Sequence, residues 1–185
     1  MCGMTGVWCS VQQDRLESIT RTMTTTIQHR GPDDSGVWVD DSIGLGLGHR
    51  RLSILDLSLA GHQPMHSSCD HYVIVFNGEI YNYLELRQLL IQKGVSFRTL
   101  SDTEVLLQML IQFGSGALEK LNGMFAFIFH DRSKNQWIAA RDPFGIKPLY
   151  FYEDGGYLYF ASEIKCFLGV NNFKARRNEK ALHQY

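Results

Sequence analysis

Two nearly unbroken apolar runs, Tyr72-Val73-Ile74-Val75-Phe76 and Met124-Phe125-Ala126-Phe127-Ile128-Phe129-His130, limit the folds open to this chain. Each is too short for a typical buried helix and is rich in β-branched and aromatic residues, so each reads as a strand buried on both faces. The other apolar patterns separate into two kinds. Leu16, Ile19, Met23 and Ile27 recur at steps of three and four, which predicts an amphipathic helix over 13–28. Short strands are expected at 2–9, 37–40, 43–50, 137–141, 148–153 and 157–161, the last three continuing a meander after the 124–130 strand. Strands in runs, with helices grouped between them, argue an α+β class rather than a βαβ alternation. The chain's 185 residues fit one domain.

Local signals refine this outline. Asn77-Gly78-Glu79 reads as a hairpin turn ending the first buried strand. Asn82 then caps a helix over 83–93, with Glu85 in capping-box position, and Ser101 and Glu104 repeat the pattern ahead of a helix over 103–113. Ser162 is expected to cap a short helix over 163–168. Gly44, Gly46 and Gly48 lack dinucleotide-fingerprint spacing and would instead empty one face of a strand, where another element packs closely. Residues 171–185 are polar and read as a connector.

Composition excludes several classes. A net charge of −1 gives no electrostatic footprint for nucleic acid or an anionic membrane. No signal peptide opens the chain and no apolar stretch approaches the roughly 20 residues of a spanning helix, so a cytoplasmic protein is expected. Cys2, Cys9, Cys69 and Cys166 follow no zinc or redox spacing, and no metal is expected.

The chemistry resides at polar motifs on strand ends. If Met1 is removed, Cys2 carries a thiol and a free α-amine, and that amine can serve as general base for its own side chain. An oxyanion formed by Cys2 attack on a carbonyl needs two donors. The Asn77 side-chain amide and the Gly78 backbone N–H offer them, alongside the turn reading of the same pair. Arg51 can grip a carboxylate through two parallel N–H bonds, or stand as an exposed strand-end charge. Asp102 can accept from an ammonium group, or cap a helix. Glu79 adds a second acceptor, or a solvated turn residue. One cation and one anion are what a zwitterionic α-amino acid requires. Gly3 would leave open backbone beside the nucleophile for an amide substrate.

An N-terminal Cys-Gly is followed, in one order, by HRGPDDSG at 29–36, GHRRLSILD at 48–56, NGEIYN at 77–82, SDTEVL at 101–106, LNGMFAF at 121–127, RDPFGIKPLYF at 141–151 and ASEIK at 161–165. Together these motifs resemble the glutaminase domain of glutamine-hydrolysing asparagine synthetase, a class II glutamine amidotransferase. The resemblance implies an N-terminal-nucleophile hydrolase fold, a four-layer αββα sandwich of two antiparallel sheets. It places the amidotransferase domain at residues 2–170, with 171–185 as a connector or the start of a synthetase domain. It also implies Cys2 as nucleophile, Asn77 and Gly78 as oxyanion donors, and Arg51, Leu52, Ile54, Leu55, Asn77, Gly78, Glu79 and Asp102 as the glutamine pocket. The implied reaction hydrolyses glutamine to glutamate and ammonia through a Cys2 thioester.

The resemblance also implies what lies outside this chain. The family's synthetase domain binds ATP and aspartate, and its pyrophosphate-binding loop resembles Ser-Gly-Gly-x-Asp-Ser, a motif this sequence lacks. No cofactor is therefore expected in this domain, and ATP and Mg only in the synthetase domain. The expected partners are glutamine, a synthetase domain in cis or trans and, as an option, a second copy in a homodimer. Two other readings compete: a glutamine-binding module without useful turnover, and an amidotransferase half serving another acceptor such as a sugar acid. The amidophosphoribosyltransferase and glucosamine-6-phosphate synthase patterns fit less well than that of asparagine synthetase.

Overall fold

The computed structural model describes residues 2–10, 15–52, 61–170 and 173–183. Their strands form two antiparallel sheets. The first contains β1 (Gly3–Cys9), β2 (Asp34–Asp40), β3 (Leu45–Arg51), β8 (Tyr150–Asp154) and β9 (Tyr157–Ala161), in the order β2-β3-β1-β9-β8. The second contains β4 (Met65–His66), β5 (Tyr72–Ile80), β6 (Gly123–Asp131) and β7 (Gln136–Arg141), in chain order. The helices are α1 (Leu16–Thr26), α2 (Tyr83–Gln92), α3 (Asp102–Phe113) and the short α4 (Glu179–Leu182), with 3-10 turns at Gln28–Arg30, Gly114–Lys120 and Ile164–Gly169.

Side-chain alternation stacks these elements in four layers. Met4, Leu45 and Leu47 of the first sheet meet Val73, Val75, Ala126 and Ile128 of the second in a core between the sheets. The opposite faces of β5 and β6 pack Ile74, Phe76, Phe125 and Phe127 against Leu86 and Leu90 of α2 and Val105, Leu106 and Met109 of α3. Val7, Cys9 and Tyr159 face Leu16 and Met23 of α1 and Cys166 and Phe167 of the last 3-10 turn. Both apolar runs are thus buried on two faces, as their composition demands. Each of these large side chains contributes about 1.5–3 kcal/mol by leaving water. The arrangement is the expected αββα sandwich.

The predicted close approach is made by α1 at Gly46 and Gly48, whereas Gly44 precedes β3 in a positive-φ turn (φ 67°) against Cys9. A Cβ on Gly46 would collide with the Thr20 hydroxyl, and one on Gly48 with the hydroxyls of Thr24 and Thr5. Thr20 and Thr24 are fully buried and donate back to Leu16 O (2.8 Å) and Thr20 O (2.7 Å), so the helix satisfies its own hydroxyls while pressed on the strand.

Four local expectations are corrected. The chain does not turn at Asn77-Gly78-Glu79; β5 continues through all three, paired with Ala126, Phe125 and Met124. Gly78 lies so flat on β6 that a Cβ would meet Met124 O, so this glycine serves close pairing rather than a turn. Asn82 begins α2 without capping it; its amide instead bridges to Lys120 O (2.9 Å) and Asn122 N (3.0 Å). Ser162 does not cap the last 3-10 turn, because its hydroxyl accepts from Met4 N at 3.0 Å and its own N–H donates to Met4 O. The late meander divides: β7 remains in the second sheet, whereas β8 and β9 cross to the first, beside β1. Ser101 does cap α3, accepting from Glu104 N at 3.3 Å.

Candidate active site

Alternation along β1 directs Met4 into the core between the sheets, and Gly6, whose Cβ would meet Ile128, the same way. Continued back one step, it points Cys2 toward the second sheet. The half-buried Cys2 sulfur lies against Leu52, receiving the Leu52 N–H at 3.5 Å and facing Leu52 O at 3.8 Å. These backbone groups are its hydrogen-bond partners among the described residues; no histidine ring is one of them.

On β3, Leu45, Leu47, His49 and Arg51 share the inward face, while Gly46, Gly48 and Arg50 face α1. His49 is paired in register with Met4 and spans the gap between sheets, its Nε2 3.1 Å from Phe76 O. A carbonyl can only accept, so Nε2 carries the proton. Complete burial pushes the His49 pKa down to about 4, leaving the ring neutral at pH 7. This bridge fixes β1, β3 and β5 relative to one another at the residue before Asn77.

Asn77 shares the inward face of β5 with Val73 and Val75. It is 1% exposed, and its Nδ2 has no hydrogen-bond partner among the described residues. A buried donor left unmatched costs about 1–3 kcal/mol. That cost is expected where a donor awaits an acceptor present only during reaction. The Gly78 N–H follows it on the same strand.

The charged groups flank this end of the sandwich. Arg51 closes β3, opposite Asp34 of β2, and its guanidinium lies so close over Gly61 that a Cβ there would meet it. Burial would raise the Asp34 pKa, but hydrogen bonds from His62 and Ser35 and the Arg51 charge together hold it low. Asp102, the first residue of α3, accepts from Ile80 N at 3.0 Å, tying that helix to the end of β5. Burial raises the Asp102 pKa, and the nearby negative charge of Glu79 adds to it. No cation among the described residues pairs with Asp102. Glu79 is exposed and Asp102 half-buried, so two carboxylates lie near each other at the end of β5. Leu52 stands beside Cys2; Ile54, Leu55 and Met1 lie outside the described residues.

The family model described as a glutamine amidotransferase domain matches residues 1–185. The chain is 44% identical to asparagine synthetase [glutamine-hydrolyzing] 1 of Bacillus subtilis, over all of this chain and 29% of that protein.

The chain belongs to the glutamine amidotransferase family.

It is also 38% identical to the putative asparagine synthetase [glutamine-hydrolyzing] 2 of Methanocaldococcus jannaschii, over 96% of this chain and 37% of that protein. The chain therefore spans about a third of the length of these curated relatives. Among solved structures, the glutamine phosphoribosylpyrophosphate amidotransferase of B. subtilis, complexed with ADP and GMP, superposes with a TM-score of 0.74 at 26% identity. That match covers 91% of this chain and 43% of the other. Among the described residues, no helix is long and apolar enough to cross a membrane.

Sequence reasoning missed three residues that shape this amidotransferase site. Arg30 donates Nε–H to Cys2 O at 2.8 Å, and its Nη1 to Glu163 at 3.1 Å. Ser162 ties the end of β9 to Met4 of β1, and His49 ties β3 to β5. All three sit in the quoted motifs, but only the fold shows which atoms they reach. Gly3 has a different reason from the one expected. Its open face is filled by Ile27 and by the Arg30 stem, which would lie 3.1 Å from an added Cβ. The missing side chain makes way for Ile27 and Arg30.

Proposed function

We propose that this domain hydrolyses glutamine to glutamate and ammonia with Cys2 as an N-terminal nucleophile. The observation that carries the proposal is the buried Asn77 amide on the inward face of β5, whose Nδ2 has no hydrogen-bond partner among the described residues. After Met1 is removed, the Cys2 α-amine takes the thiol proton. No histidine among the described residues reaches the sulfur to do so. The sulfur attacks the side-chain amide carbon of glutamine. Asn77 Nδ2 and Gly78 N–H receive the oxyanion, and the protonated amine gives its proton to departing ammonia. Water then cleaves the γ-glutamyl thioester. Arg51 holds the substrate carboxylate, and Asp102 with Glu79 the ammonium, so selection for an α-amino acid comes from two opposite charges across one pocket. Leu52, beside Cys2, adds to the wall, and the resemblance assigns Ile54 and Leu55 to the same pocket.

The relatives' names support a further assignment, that the ammonia feeds asparagine formation in a synthetase domain; we further infer that this amidation of aspartate uses ATP and Mg bound in that domain, and that it takes place in the cytoplasm. Glutamate and ammonia release from glutamine by the Met-processed protein tests the first step. Loss of both products in Cys2→Ala is expected, and unchanged hydrolysis in that variant would refute the proposal. ATP- and glutamine-dependent asparagine formation by the whole gene product tests the second; amidation of another carboxylate would redirect it.

A further inference from the structure

We propose that Glu163 is a positioning residue for the nucleophile, locking Arg30 onto the Cys2 carbonyl. The inference rests on the assignment of Cys2 given above. Cys2 lies one residue outside the paired strand, since the β1–β3 ladder begins at Gly3↔Arg50. Arg30 reaches it from the 3-10 turn after α1, passing over the open face of Gly3. An arginine stem has about 2 kcal/mol of rotamer freedom, so the contact needs a second anchor to be held in one geometry. Glu163 supplies it. Its Oε1 takes Arg30 Nη1 at 3.1 Å and meets His29 Nε2 at 2.9 Å, while Oε2 lies 3.2 Å from Lys165 Nζ.

This differs from an ordinary surface ion pair. The Arg30 side chain is 13% exposed, and a guanidinium so far out of water requires a counter-charge. Burial would raise the Glu163 pKa, but the bonds from Arg30, His29 and Lys165 draw it down to about 2, so the anchor stays ionised. His29 and Lys165 are about half exposed. They screen the carboxylate without touching the nucleophile. Glu163 itself makes no described contact with Cys2 and acts through Arg30 alone.

The test uses the whole gene product and measures glutamine hydrolysis for Glu163→Gln, Arg30→Lys and the double variant. A mispositioned nucleophile can cost about 100-fold, so Glu163→Gln is expected to lower kcat about 10- to 100-fold. KM for glutamine should stay within about twofold, because Arg51 and Asp102 are untouched. Melting temperature should fall by several degrees, because Arg30 loses its counter-charge, so kcat is compared at a temperature where the variant is fully folded. The double variant should be no slower than the slower single variant, because both act through one contact. Glu17→Gln, which removes an exposed pair with Arg21, is the control. A Glu163→Gln kcat near wild type in the folded variant, a rise in KM in place of a fall in kcat, or multiplying effects in the double variant would overturn the proposal. Cys2→Ala, run alongside, separates the two claims: turnover surviving there defeats the nucleophile assignment instead.

Discussion

Truncating Asn77 to alanine should reduce catalysis strongly while scarcely changing stability, and that combination separates a catalytic donor from a structural one. The Asn77 Nδ2 is buried without a partner, so the folded protein already bears its desolvation cost of about 1–3 kcal/mol. Asn77→Ala relieves that cost and creates a small void, which costs a similar amount with opposite sign. The net change should be within about 1 kcal/mol, or about 2–4 °C in melting temperature for a domain of this size. The loss in reaction is different in kind. One of two oxyanion donors disappears, which lowers kcat by about 10²–10³-fold, or about 2.7–4 kcal/mol of transition-state stabilisation. KM should hold, because the ground-state carboxylate and ammonium are gripped by Arg51 and Asp102. Single-turnover thioester formation with calorimetric melting measures both quantities. A kcat within threefold of wild type with melting lowered by more than about 8 °C would refute the reasoning and make Asn77 a packing residue.

Three further outcomes follow from the same geometry. Arg51→Lys should raise KM for glutamine about 10- to 100-fold with little change in kcat, since one bidentate charged contact is worth about 1.5–3 kcal/mol; steady-state kinetics checks it. Asp102→Asn should raise KM similarly. Because the Asp102 carboxyl is raised above its ordinary pKa, wild-type KM should climb on acidification before an ordinary aspartate protonates, and the variant should lack that rise. His49, at about 4 in the folded protein, titrates nearer 6.5 when unfolded, so the unfolded chain takes the proton first. Its contribution is complete above pH 6.5 and falls by about 3 kcal/mol as pH drops to 4; urea midpoints across that range should fall less steeply in His49→Gln.

The sequence carried the layers' raw material and the named chemistry, but not their geometry. The runs at 72–76 and 124–130 announced doubly buried strands because nothing polar interrupts them. The α1 face was equally legible, with Leu16, Met23 and Ile27 all buried where their spacing put them. Asn77-Gly78 misled because that dipeptide favours turns locally, whereas pairing with β6 decides its conformation. Division of the late strands between sheets was illegible for a similar reason: β7 and β8 have comparable local patterns, and only β9's pairing with β1 assigns the crossing. Arg30 and Glu163 escaped notice because their partners lie 28 and 133 residues away. A charged side chain's reach across that distance is a property of the assembled fold.

The central claim is that Cys2, freed of Met1, carries the γ-glutamyl group. Acid-quenching the protein during glutamine turnover and sequencing its N-terminal peptide by mass spectrometry addresses it directly. The account predicts a peptide that begins at Cys2 and bears one γ-glutamyl group on sulfur, absent from Cys2→Ala and accumulating when thioester hydrolysis is slowed. Turnover of glutamine by a chain that retains Met1, or a γ-glutamyl group on any other residue, would contradict it.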